Sequence, residues 1–184
     1  MTTRVLGAAG LALYAVHAAR HAIFREPEHL LWLCNVAAVA VAAGMLLARP
    51  MLNAIGLLWL VVGNPLWLID LARGGELLPT SLLTHGVGFL LGLVGLRRLG
   101  LPRGAWWRSV LAGLVLLAVT RAITPPSADV NLVYTVWPAD GTALRATLAT
   151  LGVVVPGAAA VLLVEWALRR LGGRQLEMCG ADGR

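Results

Sequence analysis

Two side chains in this 184-residue sequence have the reactivity for covalent catalysis and stand where little else is polar. Cys34 sits in "EHLLWLCNVAAVAVAAGMLLARP" (28–50) and is the only cysteine in any apolar run. His85 lies well inside "TSLLTHGVGFLLGLVGL" (80–96). A free thiol titrates near pH 8.5 and is inert when buried among apolar groups, so it needs a base. A histidine that takes its proton makes it a nucleophile toward an acyl carbonyl. The resulting oxyanion needs donors, for which Asn35, Arg121 and Asn131 are the candidates. Asp70 is a further polar group at the same end, and Ser81, one turn before His85, is the reserve nucleophile. The plainer readings are a small buried hydrophobe for Cys34 and a histidine satisfied by a neighbouring helix carbonyl for His85.

A second chemistry uses other residues. His17 and His21 are four apart on one helix face, with His29 and Cys34 following, and imidazole with thiolate suits zinc or copper. A metal or haem site is therefore the rival reading. The sequence shows no carboxylate second shell for it, and interfacial histidines are the simpler explanation. A non-catalytic membrane subunit or small-molecule carrier is the third class.

The elements that position these groups follow from composition. The chain is 59% hydrophobic and 13% charged, with mean hydropathy +0.80, which excludes an ordinary soluble domain. Its 15 basic residues are all Arg. They cluster in short connections beside apolar runs, where membrane topology accounts for them better than nucleic acid. Two cysteines, one of them in the C-terminal tail, make no disulfide framework. Apolar runs long enough to cross a bilayer fall at about 5–23, 30–48, 52–72, 78–96, 105–123 and 146–168. The first is expected to be a span rather than a cleaved signal, although "AVHAA" offers small residues. The fold expected is all-α: a six-helix transmembrane bundle over 1–171 with a cytoplasmic tail, 172–184.

Orientation follows from arginines. With the N-terminus inside, Arg4, Arg49, Arg97, Arg98, Arg103, Arg108, Arg169, Arg170, Arg174 and Arg184 are cytoplasmic. Only Arg20, Arg25, Arg73, Arg121 and Arg145 are then external, so both termini are expected in the cytoplasm. On that topology Cys34, Asn35, His85, Asp70, Arg121 and the three N-terminal histidines all fall toward the outer end. Glu165 is the exception at the inner end. Ionisable groups within spans face a bundle interior or a cavity, so one outer polar pocket is expected. The 124–142 connection is long enough to be a binding loop. In the fourth span Ser81, His85, Gly88, Gly92 and Gly95 recur on one helical face, which lets a neighbouring backbone approach. Cys34 and His85 are thus expected to face each other across the second and fourth helices.

"HLLWLCN" (29–35), followed by "THGVGF" (84–89), resembles the YwaF-type bacterial integral membrane proteins. These are similar to a eukaryotic transmembrane acyltransferase family with a Cys/His pair. More distantly they resemble the androgen-induced membrane hydrolases, which cleave fatty-acid esters of hydroxy fatty acids with a Thr/His pair. The resemblance covers about 29–134. It implies a Cys34/His85 acyl hydrolase or acyltransferase in a bacterial cytoplasmic membrane, acting on a membrane lipid or fatty-acyl ester without a cofactor. Two departures bear on substrate handling: Asn35 stands where relatives often carry an acidic residue, and Asn131 and Tyr134 are separated by "LV".

Overall fold

The computed structural model describes residues 1–24, 26–75, 77–136 and 142–181, with backbone alone for Ala143, Ala146 and 171–181. Among these residues the chain is all-α. Seven helices follow in order: α1 (Thr3–Ile23), α2 (Leu33–Leu46), α3 (Pro50–Ala72), α4 (Gly88–Leu99), α5 (Ala105–Ile123), the short α6 (Val133–Val136) and α7 (Ala143–Ala181). Three segments, Pro50–Ala72, Ala105–Ile123 and Thr147–Arg170, are long and apolar enough to cross a membrane. The backbone beyond residue 171 continues α7 to Ala181.

Local chemistry sets the breaks. Pro27 opens a 3-10 turn, Pro27–Leu31, and Trp32 then leaves helical geometry at ψ 135°, so α2 starts only at Leu33. Pro50 opens α3 at a position where a missing N–H costs nothing. Gly100 and Gly104 take φ of +81° and +73° to reverse the chain between α4 and α5, conformations that cost other residues strain. The approach to α4 is unusual: Leu83–Val87 forms a single π-turn, a wide i→i+5 turn common at functional positions.

The short helix α2 is the centre of the molecule. It packs against α1, α3 and α4, and eight of its residues, from Asn35 to Met45, are buried. Its 14 residues extend only ~21 Å, less than the ~30 Å of a bilayer core. A helix flanked by three others tolerates this, because its sides face protein along its length. Ala37, Val41, Met45, Leu57, Trp59 and Leu60 form the core between α2 and α3.

The end of the bundle away from the histidines is closed by polar contacts. Asn53 donates to the Gly92 carbonyl at 3.3 Å, and the Trp59 indole donates to the Ser109 carbonyl at 3.0 Å. Glu165, 5% exposed, accepts from the Trp106 amide at 2.5 Å and from Arg169 at 2.7 and 2.9 Å. Arg169 also donates to the Leu101 and Pro102 carbonyls. Glu165 is thus a clasp that ties α7 to the first turn of α5, where helix polarity favours negative charge.

Candidate active site

His85 is the best-defined group at the other end. Burial leaves its side chain 5% exposed, and its ring stacks on Trp67 with centroids 4.2 Å apart and planes 6° from parallel. Asn64, one position before the helix-internal Pro65, holds it twice. The Asn64 Nδ2 donates to the His85 carbonyl at 3.1 Å, and Asn64 Oδ1 lies 2.9 Å from His85 Nδ1. These contacts fix the tautomer. An Nδ2 committed to a carbonyl leaves Oδ1 as the acceptor, so Nδ1 carries the ring proton and Nε2 keeps its lone pair. The arrangement is a base oriented by a third residue.

The ring sits on the α3 side of α4, not squarely opposite α2 as the helical spacing led one to expect. The π-turn is the reason. Gly88, Gly92 and Gly95 do face the core: a Cβ on them would meet Ala38, Leu57 and Asn53 at 3.2, 3.0 and 2.2 Å. Counting back from Gly88 through a wider turn moves His85 off that face and brings Thr84 nearer to it. Thr84 is 2% exposed and its Oγ1 has no hydrogen-bond partner. Cys34 is half-buried against the α2–α3 core. It lies one turn before Ala38 on the same α2 stripe, as Thr84 lies about one turn before Gly88. By this counting Cys34 and Thr84 stand at a similar level on α2 and the π-turn. No hydrogen bond joins Cys34 to His85 among the described residues.

All four histidines of the sequence gather at this end. His17 Nδ1 lies 3.0 Å from Thr80 Oγ1; its ring neighbours Asn35, and it is close enough to His85 for their charges to interact. His17 and His21 meet edge to face at 4.7 Å, and His21 and His29 at 5.5 Å. Asn35 donates to the His29 carbonyl at 2.8 Å, closing the turn before α2. Ser81 donates to the Leu78 carbonyl at 2.7 Å and ties down its own turn.

Two expected substrate donors serve the fold. Asn131 accepts from the Leu33 amide at 2.7 Å and donates to the Leu31 carbonyl at 2.8 Å and to Thr120 at 3.3 Å, so it clamps the opening of α2 to α5. Arg121 donates to the Val133 carbonyl at 3.1 Å and lies over the Tyr134 ring at 4.3 Å. The Tyr134 hydroxyl sits between the Arg121 and Thr124 carbonyls at 2.9 and 2.7 Å. Residues 124–136 are thus a pinned set of turns; 137–141 of the same connection lie outside the described residues. Asp70 is exposed at the end of α3, apart from this network.

Asp129 organises α6. Its carboxylate accepts from the Tyr134 amide at 2.7 Å, from the Thr135 amide at 3.1 Å and from the Thr135 hydroxyl. Partial burial pushes its carboxyl upward, but the Thr135 hydroxyl, the two amides and nearby Arg121 outweigh this and hold it below the usual range. Its stabilisation is therefore complete above the ordinary carboxylate pKa and is lost as pH falls through the depressed one. Hydrogen exchange of residues 130–136 should accelerate in acid, and Asp129→Ala should remove that pH dependence at a cost of about 1 kcal/mol, typical of a lost cap.

Asn64, Trp67 and Thr84 escaped the sequence reading. Only Asn64 carries a signal that would have found it, an Asn-Pro pair inside an apolar run. Comparison with known proteins brought no match: no family model, curated protein or solved structure matches the chain. Fold and site together define an all-α helical bundle with a histidine-rich polar centre at one end.

Proposed function

We propose that this protein is an intramembrane acyl enzyme in which Cys34 is the nucleophile and His85 its base, acting on a lipid or fatty-acyl ester. The observation that carries the reading is the Asn64 contact, which leaves the buried His85 with an unprotonated Nε2. His85 Nε2 takes the thiol proton and the sulfur attacks the ester carbonyl. The C–O bond then breaks, the alcohol leaves with the proton from His85, and an acyl thioester remains on Cys34. Water or a lipid alcohol, deprotonated in turn by His85, releases the acyl group as acid or new ester. Thr84 Oγ1, buried without a hydrogen-bond partner, is assigned as the donor to the oxyanion. Catalytic hydrogen bonds often tighten only when substrate is bound, and the Cys34–His85 contact is assigned to that state.

An apolar groove supports an acyl substrate. It holds about 160 Å³ between α3, α5 and α7 and is lined by Trp59, Val62, Leu117, Val154 and Leu33, the residue before Cys34 in sequence. The six-span arrangement with both termini cytoplasmic belongs to the same proposal. Its support is the uncovered apolar surface of α5 and α7, where Leu111, Val115, Leu148, Leu151 and Leu163 are all more than half exposed, far beyond what water tolerates. A cysteine placed at Ser127 in a Cys-free background should react with an impermeant maleimide only from outside the cell. Reaction only from the cytoplasmic side would overturn the topology. The enzyme reading is tested by a lipid-tailed thiol-acylating probe on protein in nanodiscs. Labelling should map to Cys34 and fall sharply in His85→Ala; equal labelling in Cys34→Ala would end the mechanism.

A further inference from the structure

Beside this site the structure builds a group of ligands that the acyl reaction does not use. His21 Nδ1 and His29 Nδ1 each lie 3.5 Å from the same carboxylate oxygen, Oε2 of Glu26. Ligand atoms of the three residues all fall within 4.8 Å of one another. The His21 side chain is 5% exposed, and its Nδ1 makes no hydrogen bond. A buried ring nitrogen that faces a carboxylate without a hydrogen bond is free to serve as a metal ligand. Separations of 3.5 Å match the edge of a tetrahedron built from ~2.0–2.1 Å metal–nitrogen and metal–oxygen bonds, about 3.4 Å.

We propose that His21, Glu26 and His29 bind one divalent first-row transition ion of the zinc class. Two imidazoles and one carboxylate leave a fourth position open, as in sites that also take water or a ligand oxygen. The fold holds the ligands locally. The Glu26 amide donates to the His21 carbonyl at 2.9 Å, the His29 amide to the Glu26 carbonyl at 3.1 Å, and Asn35 to the His29 carbonyl. The ion would join the end of α1 to the turn that opens α2, directly outward of Cys34. The ring of His17, edge-on to His21, is an outer neighbour whose Nδ1 already belongs to Thr80. Arg20 is a positive neighbour of His21, and its Nη1 is buried without a partner. It opposes the cation, while Glu26 supplies the balancing charge. The acyl step does not run through this ion.

The full chain, purified in detergent and stripped with chelator, is titrated with Zn²⁺ by calorimetry and with Co²⁺ by visible absorption. One saturable site per chain is expected, with the cobalt spectrum of a low-symmetry four- or five-coordinate centre. His21→Ala, His29→Ala and Glu26→Gln should each weaken binding roughly tenfold or more, at least what outer partners alone cost. His17→Ala should change it little, and Arg20→Gln should tighten it. Glu26 is 44% exposed, so Glu26→Gln keeps the fold even if a histidine variant does not. Zn²⁺ should raise the melting temperature of the wild type and leave that of Glu26→Gln unchanged. No saturable binding, or equal binding in wild type and Glu26→Gln, would overturn the site.

Discussion

Cys34→Ala, His85→Ala and the double variant are expected to lose lipid-ester turnover to the same floor. A base contributes roughly 10²–10⁴-fold and works only through its nucleophile, so the two losses should not add. Their structural costs differ. Cys34 is a half-buried small side chain, and Cys34→Ala leaves a small void; His85→Ala removes a ring stacked on Trp67 and frees both polar atoms of Asn64. Loss of activity in Cys34→Ala with an unchanged melting temperature is therefore the cleaner arm. Asn64→Leu gives a graded intermediate. Either tautomer of His85 then becomes accessible, and kcat should fall while the histidine remains, by less than in His85→Ala. A double variant distinctly less active than Cys34→Ala would show that His85 acts on something other than the thiol.

The helical class was legible because composition and break chemistry are local properties. Pro27, Pro50, Gly100 and Gly104 act through their own φ angle or missing N–H, and each stands at a helix boundary. The convergence of His17, His21, His29, Cys34, Asn35 and His85 on one end was also legible, since depth along a span needs only counting. Azimuth was not. The i, i+4, i+7 spacing from Ser81 to Gly95 assumes an unbroken α-helix, and the π-turn at Leu83–Val87 rotates His85 toward α3. That turn has no composition signature in "LTHGV". Polar side chains turned inward on backbone groups were equally hidden. Asn131 and Arg121 read as substrate donors in a list of polar residues, yet their hydrogen bonds run to Leu31, Leu33 and Val133. Glu26 was passed over as a loop charge because nothing in its spacing shows that two imidazoles reach the same oxygen.

Gly56→Ala is expected to be among the most destabilising single methyl additions in the chain. A Cβ there would lie 2.5 Å from the Ala37 carbonyl oxygen and 2.8 Å from the Val41 amide nitrogen. Both are backbone atoms of the central helix, so no side chain can swing away and α2 must separate from α3. Overpacking a tight core costs typically ~1–3 kcal/mol, and contact with two backbone atoms of α2 puts Gly56 at or above the top of that range. The consequence reaches the site, because α3 carries Asn64 only two turns, ~12 Å, further on. A shifted α3 withdraws the Asn64 and Trp67 support from His85, so residual activity should fall together with stability. Gly63 on the same helix is the control: nothing lies within 4 Å of its would-be Cβ. There the methyl meets open space, and a helical Gly→Ala change should gain roughly 0.5–1 kcal/mol. Thermal unfolding of both variants in one detergent reads the contrast. Gly56→Ala should melt several degrees below wild type and Gly63→Ala at or above it. Equal melting of Gly56→Ala and wild type would mean that α2 and α3 are not packed at this distance.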